Sequence, residues 1–279
     1  MKKFSFIILH YNTFKETINC IECIKKLEYY DEVKIIIVNN NSTDDSLSKL
    51  KKIYNSSEID FLDSEYNAGF AKGNNLGYSL AKHKYNSKFV ICLNSDVYIK
   101  QIDFLSLIEA EFEDNQFDLL GPKISTLDGD NQNPVKYIHD TNKKVNRTLF
   151  LNKLRYIKSF LPEKYKNKKN YQKKTTEKQR MFNIPLHGAC IIIGPKYISK
   201  HEYLFYPDTF LYGEEDILYY LSKINNEKLV YSPFLKVIHA EDASTNNEFG
   251  TENGKKKRFV LKHSENSLKI LKLLIKKYS

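Results

Sequence analysis

Two groups of acidic residues stand where carboxylates can do chemistry. Asp96 follows the strand-like run at residues 88–93, and a carboxylate at the end of a buried strand can hold a hard divalent cation. Glu214-Glu215-Asp216 opens an apolar-periodic stretch, where a carboxylate can take the proton of a hydroxyl group. Each group also has a structural explanation, because aspartate is common in turns and acidic residues stabilise the first turn of a helix.

The first hundred residues predict the frame that would position such residues. Residues 4–9 and 33–38 are short, β-branched apolar runs typical of buried parallel strands. Between them, Thr13-Phe14-Lys15-Glu16 has the pattern of a capping box, and apolar residues follow it at helical spacing. The alternation continues with a helix at 44–54, a strand at 58–62, a helix at 70–83 and a strand at 88–93. This order predicts an α/β fold with a mainly parallel central sheet flanked by helices.

Polar loops follow all four predicted strands. They are His10-Tyr11-Asn12, residues 39–44, residues 67–70 and Asn94-Ser95-Asp96. Turn chemistry alone explains any one of these loops, but it explains four on the same edge of one sheet less well. Because ligands of parallel sheets bind at the carboxyl ends of the strands, the sequence predicts a ligand site at this edge.

Basic charge is concentrated in two segments of the chain. The 279 residues include 44 Lys and Arg against 34 Asp and Glu, a formal net charge of +10. Residues 141–180 hold 14 basic and 2 acidic side chains and residues 255–279 hold 9 and 1, so the rest of the chain carries −10. An acidic body with two basic segments favours an anionic surface or acceptor as partner, and no nucleic acid.

Apolar residues interleave both basic segments. The pattern predicts an amphipathic helix and a mobile tether within a basic insertion at 141–180, and a basic amphipathic helix at 254–279. Between them the sequence predicts a strand at 189–193, a helix at 214–225, and two strands at 229–231 and 235–238 divided by Pro233. The expected organisation is one main domain at 1–253 followed by the C-terminal helix.

The four cysteines predict no zinc site and no redox centre. Cys20 and Cys23 form a lone CxxC inside a predicted helix, and Cys92 and Cys190 lie in apolar strand-like runs. Four reduced core cysteines are consistent with a cytosolic protein. The N-terminal apolar run ends at His10, which makes it too short for a signal-peptide core or a membrane span.

Seven motifs extend the pattern of polar loops over roughly residues 4–245. They are ILHYN (8–12), VNNNSTDDS (38–46), NAGFAKGNNLG (67–77), LNSDV (93–97), HGACIII (187–193), FLYGEEDIL (210–218) and HAEDAST (239–245). In this order they resemble family 2 glycosyltransferases with the nucleotide-sugar-binding GT-A fold, particularly the rhamnosyltransferase-like branch of bacterial surface polysaccharide assembly. The resemblance implies inverting, metal-dependent transfer of a sugar from a nucleotide diphosphate to a hydroxyl group.

The resemblance gives roles to the acidic residues and to one histidine. Asp96 falls in the family's metal-binding motif, and His239 becomes the second protein ligand of Mg²⁺ or Mn²⁺. Taken alone, His239 would more simply be a buried structural histidine. The family's acidic pair falls on Glu214 and Glu215, and its second member is the usual base. Glu215 is therefore the expected base, although the choice between the two stays open.

The resemblance also implies a nucleotide site in the first loops. Asn40 can offer a donor and an acceptor to the imide edge of uracil or thymine, and Tyr11 can stack on the base. Gly69 and Gly73 are expected to let the backbone approach the ligand. The other expected nucleotide-binding residues are His10, Asn12, Asn67, Phe70, Asn74 and Asn94. The expected donor is a dTDP- or UDP-sugar, although the family often has Asp in place of Asn39.

The expected acceptor is a glycan or a lipid-linked glycan. A lipid-linked acceptor lies on an anionic membrane, to which interleaved basic and apolar residues bind with roughly 1 kcal/mol per basic side chain. The sequence therefore predicts a cytoplasmic protein that is peripheral on the inner face of the cell membrane.

Three other classes of protein fit parts of the sequence. A sugar nucleotidyltransferase shares the βαβ units, but it should carry a Gly-rich loop with Arg where this chain has His10-Tyr11-Asn12. A non-catalytic nucleotide-sugar- or glycan-binding module would lack the base or the metal ligand, whereas this chain has both Asp96 and Glu215. A nucleic-acid-binding protein fits the sequence pI of about 9.1, but the chain has no recognition motif for nucleic acid.

Overall fold

A nine-stranded sheet forms the centre of the molecule. The computed structural model describes residues 2–54, 58–135, 137–160, 178–240 and 253–279. The strands are β1 (Phe4–His10), β2 (Val33–Asn39), β3 (Ile59–Asp63), β4 (Phe89–Asn94), β5 (Val97–Tyr98), β6 (Leu119–Thr126), β7 (Met181–Phe182), β8 (Cys190–Ile193) and β9 (Leu229–His239). The helices are α1 (Phe14–Ile24), α2 (Ser46–Ile53), α3 (Gly69–His83), α4 (Phe104–Asn115), α5 (Asn142–Lys158), α6 (Pro195–Lys200), α7 (Glu214–Ile224) and α8 (Asn253–Tyr278), and a 3₁₀ turn at Tyr30–Glu32 precedes β2.

The strand order is β3-β2-β1-β4-β8-β6-β9-β5, with β7 paired to β9 beside this path. Strands β1 to β4 are parallel to one another, as the sequence predicts. In the second half, β8 is antiparallel to β4 and β6, and β9 is parallel to β6 but antiparallel to β5 and β7. The α/β class is therefore as predicted, and the parallel half of a mixed sheet carries the polar loops.

Helices cover both faces of the sheet because its inner strands are apolar on both faces. All seven residues of β2 are buried, as expected for a parallel strand between two helical layers. Helices α1, α2 and α4 pack on one face through residues that include Ile21, Leu50 and Phe104. Helices α3, α6 and α7 pack on the other face through residues that include Tyr78, Ile198 and Leu218.

Helix α3 lies unusually close to β1. A Cβ atom at Gly73 would lie 2.5 Å from Leu9 Cδ1, and one at Gly77 would lie 2.4 Å from Ile7 Cγ2. Both glycines therefore serve helix–sheet packing. This corrects the expectation for Gly73, which meets a β1 side chain here and does not line the cavity described below.

Strand β9 is continuous where the sequence predicts two strands divided by Pro233. Pro122 of β6 pairs with Ser232, but the next residue, Lys123, pairs with Lys236. The residues between Ser232 and Lys236 thus form a bulge. Because a bulge removes the requirement for a backbone N–H, it accommodates Pro233 without ending the strand.

A third apolar cluster joins α8 to α5 and α7. Leu268, Leu271, Leu274 and Ile275 of α8 are buried there together with Val145, Ile217 and Tyr220. The apolar side predicted for the C-terminal helix is thus covered by the protein itself. Within the described ranges, no helix combines the length and the apolar character needed to cross a bilayer.

Helix α5 opens the predicted basic insertion, while residues 161–177 of the predicted tether lie outside the described residues. The four cysteines are free, as expected: Cys20, Cys92 and Cys190 are buried and Cys23 is half-buried.

Candidate active site

A cavity of about 410 Å³ opens at the carboxyl ends of the parallel strands. The loops after β1, β2, β3 and β4 all contribute to it, as the sequence predicts. Its other walls come from the chain beyond these strands, which supplies Gln132, His187, Phe210, Glu215 and Phe259 among others. Residues as far apart in the sequence as Leu9 and Phe259 therefore meet in one site.

Asp96 and His239 meet because β5 pairs with the end of β9. Val97 is the register partner of His239, and the amide of Ala240 donates to the Asp96 carbonyl oxygen at 2.9 Å. As a result, His239 Nε2 lies 3.2 Å from Asp96 Oδ1. Both side chains are largely buried and both line the cavity.

The surroundings of His239 fit a cation ligand. Its Nδ1 lies 2.8 Å from Oε1 of Gln132, and an amide oxygen can only accept, so the proton of a neutral imidazole belongs on Nδ1. With the proton on Nδ1, Nε2 can act as a ligand, and the Asp96 carboxylate 3.2 Å away offers a second ligand atom for the same cation, whereas without a cation the two side chains can form an ion pair. The described residues hold no third His, Cys, Asp or Glu in this group. Mg²⁺ commonly takes one or two protein ligands and completes its shell with water and substrate phosphate.

The predicted nucleotide-binding residues divide into two layers. The residues that line the cavity are Tyr11, Asn40, Asn67, Gly69, Phe70 and Asn94. His10, Asn12 and Asn74 do not line it and lie behind the first group, where they bond the loops to each other and to the helices.

His10 is fully buried between β1, α1 and α2. Its Nδ1 lies 2.8 Å from Thr17 Oγ1 and its Nε2 lies 2.8 Å from Ser46 Oγ. Burial lowers the pKa of His10 to about 4, so the ring is neutral at physiological pH. Thr13 begins α1 as predicted, but its hydroxyl bonds Ser95 Oγ at 3.0 Å and caps no helix amide. The predicted capping box is therefore wrong, because the hydroxyl connects two loops of the site.

Asn12 and Asn74 hold the cavity loops from behind. Asn12 donates to Thr43 Oγ1 at 2.9 Å and accepts from the Thr43 amide at 2.8 Å, which joins the first loop to the second. Asn74 donates to the Phe70 carbonyl oxygen at 2.9 Å and accepts from Cys92 Sγ at 3.1 Å.

Asn40 uses its amide to shape the third loop. Its Nδ2 donates to Asn67 Oδ1 at 2.9 Å and to the Gly69 carbonyl oxygen at 3.3 Å, and its Oδ1 accepts from the Ala68 amide at 2.9 Å. Both amide hydrogens are thus bonded to the protein. The pairing with a base that the sequence predicts for Asn40 is available only through a remaining lone pair of Oδ1.

Gly69 connects this loop to the second half of the chain. Its φ is +78°, and a Cβ atom there would lie 2.3 Å from the Phe210 carbonyl oxygen. The next amide, of Phe70, donates to that same oxygen at 2.6 Å. Only glycine combines this backbone conformation with so close an approach.

Glu214 and Glu215 begin α7 and both line the cavity. Burial, and then the charge of Glu215, raise the pKa of Glu214 to about 8. Burial, and then the charge of Asp216, raise the pKa of Glu215 to about 7. Glu215 also lies beside Gly188, since a Cβ atom there would be 4.0 Å from Glu215 Oε2.

Several residues of the site carry no signal in the sequence. Gln132 lies in a loop that follows β6, and Phe259 lies in a helix whose pattern indicates only a basic surface. His187 belongs to a recognised motif, and its ring lies 5.8 Å from that of His239, measured between centroids. Of the HAEDAST motif, residues 241–245 lie outside the described residues.

Two solved structures share the mixed α/β sheet with its cleft at the ends of the parallel strands, and they identify the fold as GT-A-like. Staphylococcus aureus TarS, residues 1–349, aligns with a TM-score of 0.55 at 18% identity, over 85% of this chain and 60% of that one. GalNAc-T7, solved with UDP, GalNAc and Mn²⁺, aligns with a TM-score of 0.59 at 12% identity, over 85% of this chain and 43% of that one.

The chain belongs to glycosyl transferase family 2, whose model matches residues 5–186. It is 29% identical over 125 residues to the poly-β-1,6-N-acetyl-D-glucosamine synthase of *Staphylococcus epidermidis*, which is 45% of this chain and 27% of the relative. The same synthase of *S. aureus* strain COL is 29% identical over 100 residues, or 35% of this chain and 22% of the relative. The alignments thus span about a quarter of these relatives.

Proposed function

We propose that the protein transfers a sugar from a UDP- or dTDP-sugar to a hydroxyl group of a glycan or lipid-linked acceptor, with inversion and with Mg²⁺ or Mn²⁺. The observation that carries the proposal is that one cavity is lined both by the contacting pair Asp96 and His239 and by the carboxylate of Glu215. An inverting transfer needs both a site for the leaving group and a proton acceptor on the other side of the sugar, and one cavity offers residues for both roles.

In this proposal Asp96 and His239 hold the cation. When bound, the cation neutralises charge on the departing diphosphate. Gln132 keeps the proton of His239 on Nδ1, so that Nε2 stays free for coordination. The polar loop around Asn40, Asn67 and Gly69 forms the wall for the nucleotide.

Glu215 is the proposed base. Burial raises the pKa of both carboxyls, to about 7 for Glu215 and about 8 for Glu214, and Glu215 is the more exposed of the two. A base works best when its pKa lies near the working pH. Glu214 then acts as a neutral neighbour that supports the helix start.

A uridine nucleotide is the preferred donor of the two. The solved complexes that share the fold, those of TarS and GalNAc-T7, contain UDP, and the relatives in sequence are named for a polymer of N-acetylglucosamine. The resemblance to the rhamnosyltransferase-like branch stays a prediction, and it is the reason to test dTDP beside UDP.

The metal and the nucleotide can be tested together by thermal unfolding. We expect UDP or dTDP to raise the Tm only when Mn²⁺ or Mg²⁺ is present, because a ligand that binds only the folded state stabilises it. Asp96→Ala should abolish the shift, whereas Asp128→Ala, an exposed aspartate in a turn, should retain it. A full nucleotide shift without metal, or an unchanged shift in Asp96→Ala, would contradict the proposal.

A basic and apolar surface on α5 supports a lipid-linked acceptor. Phe150, Leu154 and Ile157 recur at helical spacing and are 63%, 41% and 59% exposed. The exposed basic side chains of Arg147, Lys153 and Lys158 lie on the same helix. Basic charge beside exposed apolar side chains fits an anionic membrane surface, so we propose peripheral binding at the inner face of the membrane through this helix.

Vesicle co-sedimentation tests the α5 surface. The full chain should bind vesicles that contain phosphatidylserine more strongly than vesicles of phosphatidylcholine alone, and added salt should weaken the binding. The double variant Phe150→Glu, Ile157→Glu should bind less, whereas Leu127→Glu, a change at a side chain 69% exposed elsewhere, should not. Wild-type binding by the double variant, or no binding at low salt, would refute membrane association through α5.

A further inference from the structure

An array of rings from α8 reaches into the active-site cavity. Phe259 lines the cavity, and its ring centroid lies 4.4 Å from that of His263, one helical turn along α8. His263 in turn packs on Phe210, with centroids 4.9 Å apart, and Phe210 also lines the cavity. Phe259, His263 and Phe210 form what we term the aromatic wall.

The aromatic wall is fixed to the helix that carries Glu214 and Glu215. Gly213, the residue before α7, has a φ of +94°, and a Cβ atom there would lie 3.1 Å from Ser267 Cβ of α8. Below this contact, Leu268 and Leu271 of α8 are buried with Ile217 of α7. Packing between α7 and α8 therefore sets the position of the wall relative to the proposed base.

The chemistry of the wall is apolar. Burial lowers the pKa of His263, so its ring is neutral at physiological pH and packs like the two phenyl rings. Neutral aromatic rings offer a broad, rigid surface but few hydrogen bonds. By contrast, Asn40 and Asn67 supply polar side chains to the cavity from the loops after β2 and β3.

We infer that the aromatic wall is an acceptor subsite that packs against the ring of a pyranose. The inference rests on the proposed function, because the acceptor hydroxyl must reach Glu215 and the loop that leads into α7 carries Phe210. The axial C–H groups of a pyranose form an apolar face suited to an aromatic ring, while its hydroxyls stay at the edge. An open-chain polyol offers no such face, so the acceptor class is a sugar ring.

The absence of tryptophan from the sequence allows a direct binding test. Phe259→Trp places one fluorophore in the wall, and Tyr278→Trp places one at the end of the same helix, where the side chain is 50% exposed. With UDP and Mn²⁺ present, methyl pyranosides of N-acetylglucosamine, glucose, galactose and rhamnose are titrated against ribitol as an open-chain control.

At least one pyranoside should change the emission of Phe259→Trp saturably, while ribitol should not, and Tyr278→Trp should respond to neither. No response to any pyranoside, or an equal response to ribitol, would overturn the acceptor subsite. Failure of UDP and Mn²⁺ to raise the Tm of the same variant would instead count against the proposed function, so the two failures are distinguishable.

A kinetic arm uses the pyranoside that gives the largest response. Phe259→Leu keeps an apolar side chain but removes the ring. We expect its acceptor KM to rise about fivefold, because a ring contact is worth about 1 kcal/mol and 1.4 kcal/mol corresponds to a factor of ten. Tyr278→Leu, a change at an exposed side chain at the end of the same helix, should keep the wild-type acceptor KM. Phe259→Tyr should restore the KM, and an unchanged KM in Phe259→Leu would contradict the role of the ring.

Discussion

At the scale of single residues, adjacent carboxylates differ through their surroundings. Glu214 is 2% exposed, whereas Glu215 is half-buried and lies beside Gly188 at the cavity. Burial raises both pKa values, that of Glu214 to about 8 and that of Glu215 to about 7. The family resemblance alone leaves the choice of base open, and the greater exposure of Glu215 at the cavity favours it.

The pH dependence of the reaction distinguishes the two glutamates. Because the base must be ionised, kcat/KM should rise as the pH increases through about 7, the pKa of Glu215. Glu215→Gln should lower kcat by roughly 10²–10⁴-fold, the usual contribution of a general base, and remove this rise. Glu214→Gln is the matched control and should keep the rise. If only Glu214→Gln lost the rise of kcat/KM with pH, Glu214 and not Glu215 would be the base.

At the scale of structural elements, the site depends on loops that are bonded across the sheet. The Phe210 carbonyl oxygen accepts from the Phe70 amide, and Gly69 permits this contact by having no side chain. The loop after β3 is thereby joined to the segment that precedes α7. The polar loop after β3 and the aromatic wall of the cavity thus share one close contact.

Substitutions at Gly69 and Gly129, which both have a positive φ, distinguish the cost of backbone strain from the cost of steric overlap. Gly69 has a φ of +78°, and a Cβ atom added there would lie 2.3 Å from the Phe210 carbonyl oxygen. Gly129 has a φ of +84°, and a Cβ atom added there would have no other atom within 4 Å. Gly129→Ala should lower the free energy of unfolding by about 1 kcal/mol and leave UDP affinity unchanged. Gly69→Ala should lower it further and weaken UDP binding, as urea unfolding and calorimetry can measure. Equal effects of the two substitutions would show that the contact with Phe210 is unimportant.

The parallel half of the sheet could be predicted from sequence because each of its strands is a short apolar run between helical patterns. Residues 97–140 gave no such signal, although they form β5, α4 and β6. Pro233 predicted a break in β9, but a bulge in the pairing with β6 absorbs it. The hydroxyl of Thr13 bonds Ser95 instead of a helix amide, and local patterns do not reveal which distant group a side chain will meet.

At the scale of the whole molecule, long-range pairing assembles the candidate site. Asp96, Glu215 and His239 could be named from motifs, and all three line one cavity. Phe259 and Gln132 could not be named from motifs, because their position at the cavity depends on how α8 and the loop after β6 pack against the rest of the protein. The basic pattern of 255–279 predicted a surface helix, and most of its apolar side is buried against α5 and α7, whereas α5 exposes Phe150, Leu154 and Ile157.

The central claim is that Asp96 and Glu215 act in one cavity in two different roles, cation ligand and base, and paired measurements on two variants test it most directly. UDP affinity in Mn²⁺ is measured by calorimetry, and UDP release from the preferred donor is followed in a single turnover. Asp96→Ala should bind UDP with Mn²⁺ about 10–100-fold more weakly, as loss of a ligand-shell residue does. Glu215→Gln should keep wild-type affinity but release UDP at least about 10²-fold more slowly. Wild-type affinity in Asp96→Ala, or wild-type turnover in Glu215→Gln, would contradict the account.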